Sequence, residues 1–178
     1  MANVNDPNGF TPAYHLTGGT IRPAQMRIQS AYDTAIYSGD VCNLSGGYLI
    51  QGTATGAPIG VFAGVYYEKT DGSPVFAKYW TADTATLGSI DAQAYIYNDP
   101  DIVYEAQFTA GTPAVSFIGN KYTLSTTAGS TSTGRSAEGV TATTSSGVAR
   151  CVGFVDTPSN SIAAYARAFF RFPANPFE

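Results

Sequence analysis

Residues 60–80, GVFAGVYYEKTDGSPVFAKYW, limit the fold more than any other stretch of the chain. Two runs rich in Val, Phe and Tyr flank the polar cluster Thr70-Asp71-Gly72-Ser73, a pattern that specifies strand, tight turn and returning strand. Side chains alternate along a strand, so Val61, Ala63, Val65 and Tyr67 share one face and Phe62, Gly64, Tyr66 and Glu68 the other. The returning strand sets Val75, Ala77 and Tyr79 against Phe76, Lys78 and Trp80. Neither face is wholly polar. Such a hairpin must be covered on both sides, by a second sheet, a barrel interior or another subunit.

The rest of the 178 residues extends this pattern. Short apolar runs alternate with Gly-rich turns, such as Ser38-Gly39-Asp40 and Ser45-Gly46-Gly47, which is the signature of an all-β fold: a single β-barrel or β-sandwich over residues 31–172. Residues 1–30 read as an extended N-terminal arm. Pro7, Gly9, Pro12, Gly18, Gly19 and Pro23 fall too densely for a long helix or an uninterrupted strand. Its apolar side chains, Phe10, Tyr14, Leu16 and Ile21, pack either along the chain's own domain or across a neighbour. Residues 81–92 hold one short helical turn capped by Thr81 or Asp83. Ile102–Phe108 alternates best, with Ile102, Tyr104, Ala106 and Phe108 on one face and Val103, Glu105 and Gln107 on the other, and reads as a half-buried strand. Residues 125–147 are almost all small and hydroxylated, and read as a long loop whose only charges are Arg135 and Glu138. Residues 161–172 keep an unbroken apolar period of two, Ile162 to Phe172, and read as a last strand before a tail, 173–178.

Charged residues are 12% of the chain, against roughly 25% in average soluble proteins, while 13% are aromatic. A charge-poor, aromatic-rich surface favours burial against partners. A net charge of −4 with scattered basic residues excludes nucleic acid as the direct partner. No run approaches the ~18 apolar residues of a membrane span, and MANVNDPNGF is not a secretory signal. Cys42 and Cys151 sit in strand-like runs and read as buried free thiols, with a bridge between distant strands as the alternative; free thiols fit assembly in a reducing cytoplasm.

No catalytic constellation emerges. His15, the single histidine, lies in the Pro/Gly-rich arm, where a rigid base is out of place and a packing or contact role fits. No Cys/His pair has zinc spacing. Asp99, Asp101 and Glu105 lie close together but lack the glycine that a calcium loop requires, and read as a polar turn before an edge strand. The glycines of Thr17-Gly18-Gly19-Thr20 lack a phosphate-loop lysine. Tyr66, Tyr67, Tyr79 and Trp80 suit a core or a sugar-stacking platform.

Several segments, in order along nearly the whole chain, resemble a family of small structural proteins of tailed bacteriophages. They are Asn8-Gly9-Phe10-Thr11-Pro12, His15-Leu16-Thr17-Gly18-Gly19, Tyr37-Ser38-Gly39-Asp40-Val41, Gly60-Val61-Phe62-Ala63-Gly64, Phe76-Ala77-Lys78-Tyr79-Trp80, Asn98-Asp99-Pro100, Thr133-Gly134-Arg135-Ser136 and Val155-Asp156-Thr157-Pro158-Ser159-Asn160. The family looks like head decoration, or cement, proteins. The ending Pro173-Ala174-Asn175-Pro176-Phe177-Glu178 departs from the charged ending of the family. The resemblance implies a non-enzymatic protein on the capsid exterior that clamps neighbouring major capsid subunits, self-associates as a dimer or trimer, and uses no cofactor or metal. The contact residues expected are Phe10, Tyr14, His15, Arg22, Arg27 and Arg135. The rival reading is a host-surface or carbohydrate-binding module of a phage tail or fibre, and a carboxylate hydrolase built on Asp99, Asp101 and Glu105 is the third.

Overall fold

The computed structural model describes residues 3–142 and 147–173. Within them lie twelve strands: β1 Thr11–His15, β2 Ala24–Ile28, β3 Val41–Ser45, β4 Tyr48–Gln51, β5 Gly60–Glu68, β6 Pro74–Ala77, β7 Ala92–Tyr97, β8 Ile102–Ala110, β9 Lys121–Ser125, β10 Gly139–Thr141, β11 Ala149–Phe154 and β12 Arg167–Arg171. The fold is all-β. Five strands close into a barrel in the order β8-β10-β9-β11-β12 and back to β8, with β1 added on β8. The pairings are antiparallel except β10 with β8. The second sheet runs β2-β7-β5-β3-β4, with β6 on β5, and its end strands β2 and β4 come into contact, so it curls around its own core.

Each sheet has a core. The barrel encloses Ile102, Tyr104, Phe108, Tyr122, Val140 and Phe170, while the second sheet encloses Ile28, Ile36, Leu49, Phe62, Trp80 and Ile96. Adjacent residues of the second sheet serve different cores. Val41 and Val61 pack with the barrel, while Cys42 and Phe62 pack on the other side. That division is why the 60–80 hairpin carries apolar residues on both faces. The expected faces hold only at its start, because the register shifts between Phe62 and Gly64. The extra residue of this bulge reverses the alternation, so Val65 joins Phe62 in the second core.

The polar 81–92 segment forms a single 3-10 turn at Leu87–Ser89, preceded by Thr86 rather than capped by Thr81 or Asp83. A second such turn spans Val115–Phe117. Strand β8 is not the half-buried edge strand expected. It has neighbours on both sides, and Val103 and Gln107 are buried as well as the apolar face. The final strand is shorter than expected, because residues 161–166 turn, with Tyr165 at φ 61. Ala166, Ala168, Phe170 and Phe172 nonetheless point inward as the period requires.

The arm and the hydroxyl-rich stretch are both drawn into the body. β1 and β2 are strands of the two sheets, and Phe10 is 1% exposed, packed on Phe170 and Phe172. Inside 125–147, residues Gly139–Thr141 supply a barrel strand. A Cβ at Gly139 would stand 2.6 Å from the Gln107 carbonyl oxygen, so only glycine admits β10 this close to β8. Residues 143–146 and the tail beyond Pro173 lie outside the described residues.

Candidate interaction surface

The chain crosses itself tightly between the two sheets. The Phe10 N–H donates to the Gly39 carbonyl (2.8 Å), the Gly39 N–H to Phe62 (2.8 Å), and the Phe62 N–H to Asp40 (2.9 Å). The Thr133–Ser136 turn docks on the same point, with the Ser38 N–H donating to Gly134 (3.1 Å) and the Ser136 N–H to Ser38 (2.9 Å). Above this crossing opens a groove of about 320 Å³, lined by Asn8, Thr11, Pro12, Ser38, Lys78 and Arg135 among others. Arg135 also walls a neighbouring hollow of about 230 Å³ that holds Glu105 and Arg167.

Beneath the groove lie two carboxyl groups, Asp40 and Glu138, each 0% exposed. Asp40 Oδ2 accepts the Tyr37 N–H at 2.7 Å, and Glu138 Oε2 accepts the Val41 N–H at 2.8 Å. Asp40 Oδ1 and Glu138 Oε1 have no hydrogen-bond partner, and among the described residues no cation pairs with either group. Burial pushes both pKa values up, and for Glu138 the charge of Asp40 adds to it. Burial therefore favours the protonated forms, and the bond from the Val41 N–H to Glu138 works as a clasp, tying the start of β3 to the segment before β10. Sequence reasoning missed it. The available signal was a lone glutamate in a stretch otherwise made of small and hydroxylated residues.

The structure scatters the expected contact residues. The Phe10 ring is spent inside the barrel core and offers no surface. His15 is also turned inward, with its side chain 8% exposed. Its Nδ1 accepts the N–H groups of Thr17 (3.3 Å) and Gly19 (3.1 Å), which leaves the proton on Nε2 to be donated to Asp99 Oδ2 at 3.1 Å. The ring packs within the chain, one of the two roles, packing or contact, read for it from the sequence. Tyr14 is 43% exposed with its ring edge on Phe169, and Arg22 is exposed. Arg27 reaches solvent 3.7 Å from Asp91. Arg135 is exposed on its docked turn, beside Lys78, which the sequence reading did not single out.

His15, Asp99 and Asp101 are close enough together to offer a metal three ligands. Their donors are already engaged. Both imidazole nitrogens are used, Asp99 Oδ1 accepts the Asp101 N–H at 2.9 Å, and Asp101 pairs with Arg171 at 3.3 Å. Those bonds, the Asp101 N–H first, hold Asp99 below the usual carboxylate range. Glu105 is taken by Arg167 at 3.0 Å. These carboxylates read as fasteners of β1, β8 and β12.

Cys42 and Cys151 are free and buried in different cores. Burial raises both thiols, Cys151 to about 11, so neither is a ready nucleophile. Of the aromatic residues suited to a sugar platform, Trp80 is 0% exposed and Tyr79 stacks on Tyr37. Tyr66 reaches the surface and packs on Phe76, at 4.6 Å between centroids, beside a hollow of about 190 Å³ holding Glu68, Asp91 and Gln93.

Comparison of the chain with family models, with curated proteins and with solved structures gives no match.

Proposed function

We propose that the chain is a non-enzymatic structural protein of a bacteriophage virion that binds the outer surface of the capsid and clamps neighbouring major capsid subunits. One observation carries the reading. Segments that bear the resemblance to cement proteins, far apart in sequence, converge on one groove: Asn8 and Phe10–Pro12, Ser38-Gly39 of the Tyr37–Val41 turn, Val61–Ala63, Lys78 and Arg135 all line it. The docking of the Thr133–Ser136 turn supports it too, since a backbone fixed at Arg135 loses little freedom on binding. Many such contacts repeated over a shell multiply weak binding into a stable coat.

The test is co-sedimentation of the purified protein with mature and immature undecorated capsid shells. Saturable binding to mature shells, weakened by Arg135→Ala, is the expected result, whereas absence of binding to either shell removes the reading. Self-association as a dimer or trimer belongs to the same proposal and is read by light scattering.

A second reading has its own observation. Phe76 is 76% exposed and tilted against Tyr66 beside Glu68, Asp91 and Gln93, an aromatic face next to hydroxyl-binding groups. That arrangement suits a carbohydrate module of a tail or host-surface fibre. Binding on a glycan array that is lost in Phe76→Ala supports it, and a blank array removes it.

A further inference from the structure

We infer that the groove receives an acidic, extended segment of the partner protein, with Lys78 and Arg135 as the groups that hold its carboxylates. This rests on the capsid-binding reading and gives that surface its chemistry.

The first support is charge. Acidic residues outnumber basic ones 13 to 9 in the chain, yet the groove lining contains Lys78 and Arg135 and no Asp or Glu. Arg27, Arg167 and Arg171 are matched with Asp91, Glu105 and Asp101. Among the described residues, neither Lys78 nor Arg135 has a carboxylate within ion-pair distance. Arg22, Lys69, Lys121 and Arg150 also lack an ion pair among the described residues. Lys78 and Arg135, however, stand together in a groove whose lining has no Asp or Glu, and that attracts a carboxylate-bearing partner there.

The second support is backbone geometry. β1 ends its sheet, the position at which an extended segment adds by main-chain pairing. Pro12 has no N–H to give, and the register breaks between Pro12 and Tyr14, so that edge is closed to strand addition. Recognition falls to side chains. Around the groove these are the Asn8 amide, the Thr11 and Ser38 hydroxyls and the two cations. The main chain at Arg135 is held in place, its carbonyl accepting the Ser130 N–H at 2.8 Å and its N–H reaching Thr133 Oγ1 at 3.3 Å. Its guanidinium offers a fork that fits a carboxylate, and Lys78 adds a point charge.

The experiment has two arms. In the first, wild type and the Lys78→Glu/Arg135→Glu variant are titrated onto mature shells, with Lys78→Met/Arg135→Met as a neutral control and thermal melts to confirm folding. In the second, wild type and the same variants are titrated with a synthetic glutamate-rich peptide and separately with inorganic phosphate. The expected result is shell and peptide binding weakened about tenfold or more by the charge reversal, and less by the neutral pair. If folded charge-reversed protein binds shells as tightly as wild type, the groove inference is overturned and the capsid reading stands. If wild type ignores all shells but binds the peptide through these two residues, the capsid reading falls and the acidic preference stands. Peptide binding no tighter than phosphate binding overturns the acidic-segment assignment.

Discussion

Gly9 sits where the N-terminal segment threads between Gly39 and Ser136, and it shows how little slack the crossing has. Its φ is +71, and a Cβ would stand 2.5 Å from the Ser136 Cβ and 2.7 Å from the Gly39 oxygen. Both obstacles are backbone or Cβ atoms, which cannot swing aside. Gly9→Ala therefore combines left-handed backbone strain with a clash, and should cost about 2–4 kcal/mol of stability. Urea unfolding measures it, and a loss below that range would mean that the crossing can spread. The neighbouring Phe10 explains the tightness: its ring must reach Phe170 and Phe172 in the barrel core immediately after the turn.

At the scale of elements, β8 organises the barrel, because β1, β10 and β12 all pair with it. Its Gln107 fastens the chain start to the barrel. Nε2 donates to the carbonyls of Val4 (2.7 Å) and Tyr165 (2.9 Å), and Oε1 accepts the Asp6 N–H (2.9 Å). Gln107→Ala should cost about 2 kcal/mol by stranding those groups, and should release residues 3–6 while the barrel strands stay protected in hydrogen exchange. Equal protection at Asp6 in both proteins would show that the fastening lies elsewhere. Gln107 also marks the limit of what the sequence discloses. The period of two in Ile102–Phe108 identified the inward face, because that face meets a core whatever the topology. Burial of the opposite face depends on which strands and segments come to lie over it, and that is long-range information. The same holds for Gly139–Thr141, a barrel strand with one large apolar residue, Val140, hidden in a run of small ones. It holds again for the bulge after Phe62, since an inserted residue leaves no mark in an alternating pattern. Of the groove, the sequence marked Arg135 and the Asn8–Pro12 segment. Lys78 escaped notice because it lies within an aromatic strand run, and the carboxyls beneath because nothing local pairs them.

For the whole molecule, the Glu138 clasp joins the two sheets, and the buried pair of Asp40 and Glu138 should set the pH response of the fold. Glu138 is pushed up to about 9 in the folded protein from an ordinary 4.5, and Asp40 up to about 6 from 3.8. A folded state that binds a proton more tightly than the unfolded chain is most stable where both are protonated, and loses that advantage as pH rises. The contribution of Glu138 is complete below its unfolded value and declines as pH climbs to about 9; Asp40 acts in the same direction up to about 6. Asp99 acts oppositely, since its lowered pKa contributes stability above the ordinary carboxylate range and loses it in stronger acid. The two trends place the stability maximum in mild acid, with a fall through neutrality into alkaline solution. Glu138→Gln keeps an acceptor for the Val41 N–H but cannot ionise, so above about pH 6, where Asp40 no longer contributes, its melting temperature should stay nearly level while wild type goes on declining, and should exceed wild type near pH 9. Melts across the range decide the matter. A wild-type profile as level as that of the glutamine variant would mean that Glu138 ionises without penalty, and that its burial does not set the pH response of the fold.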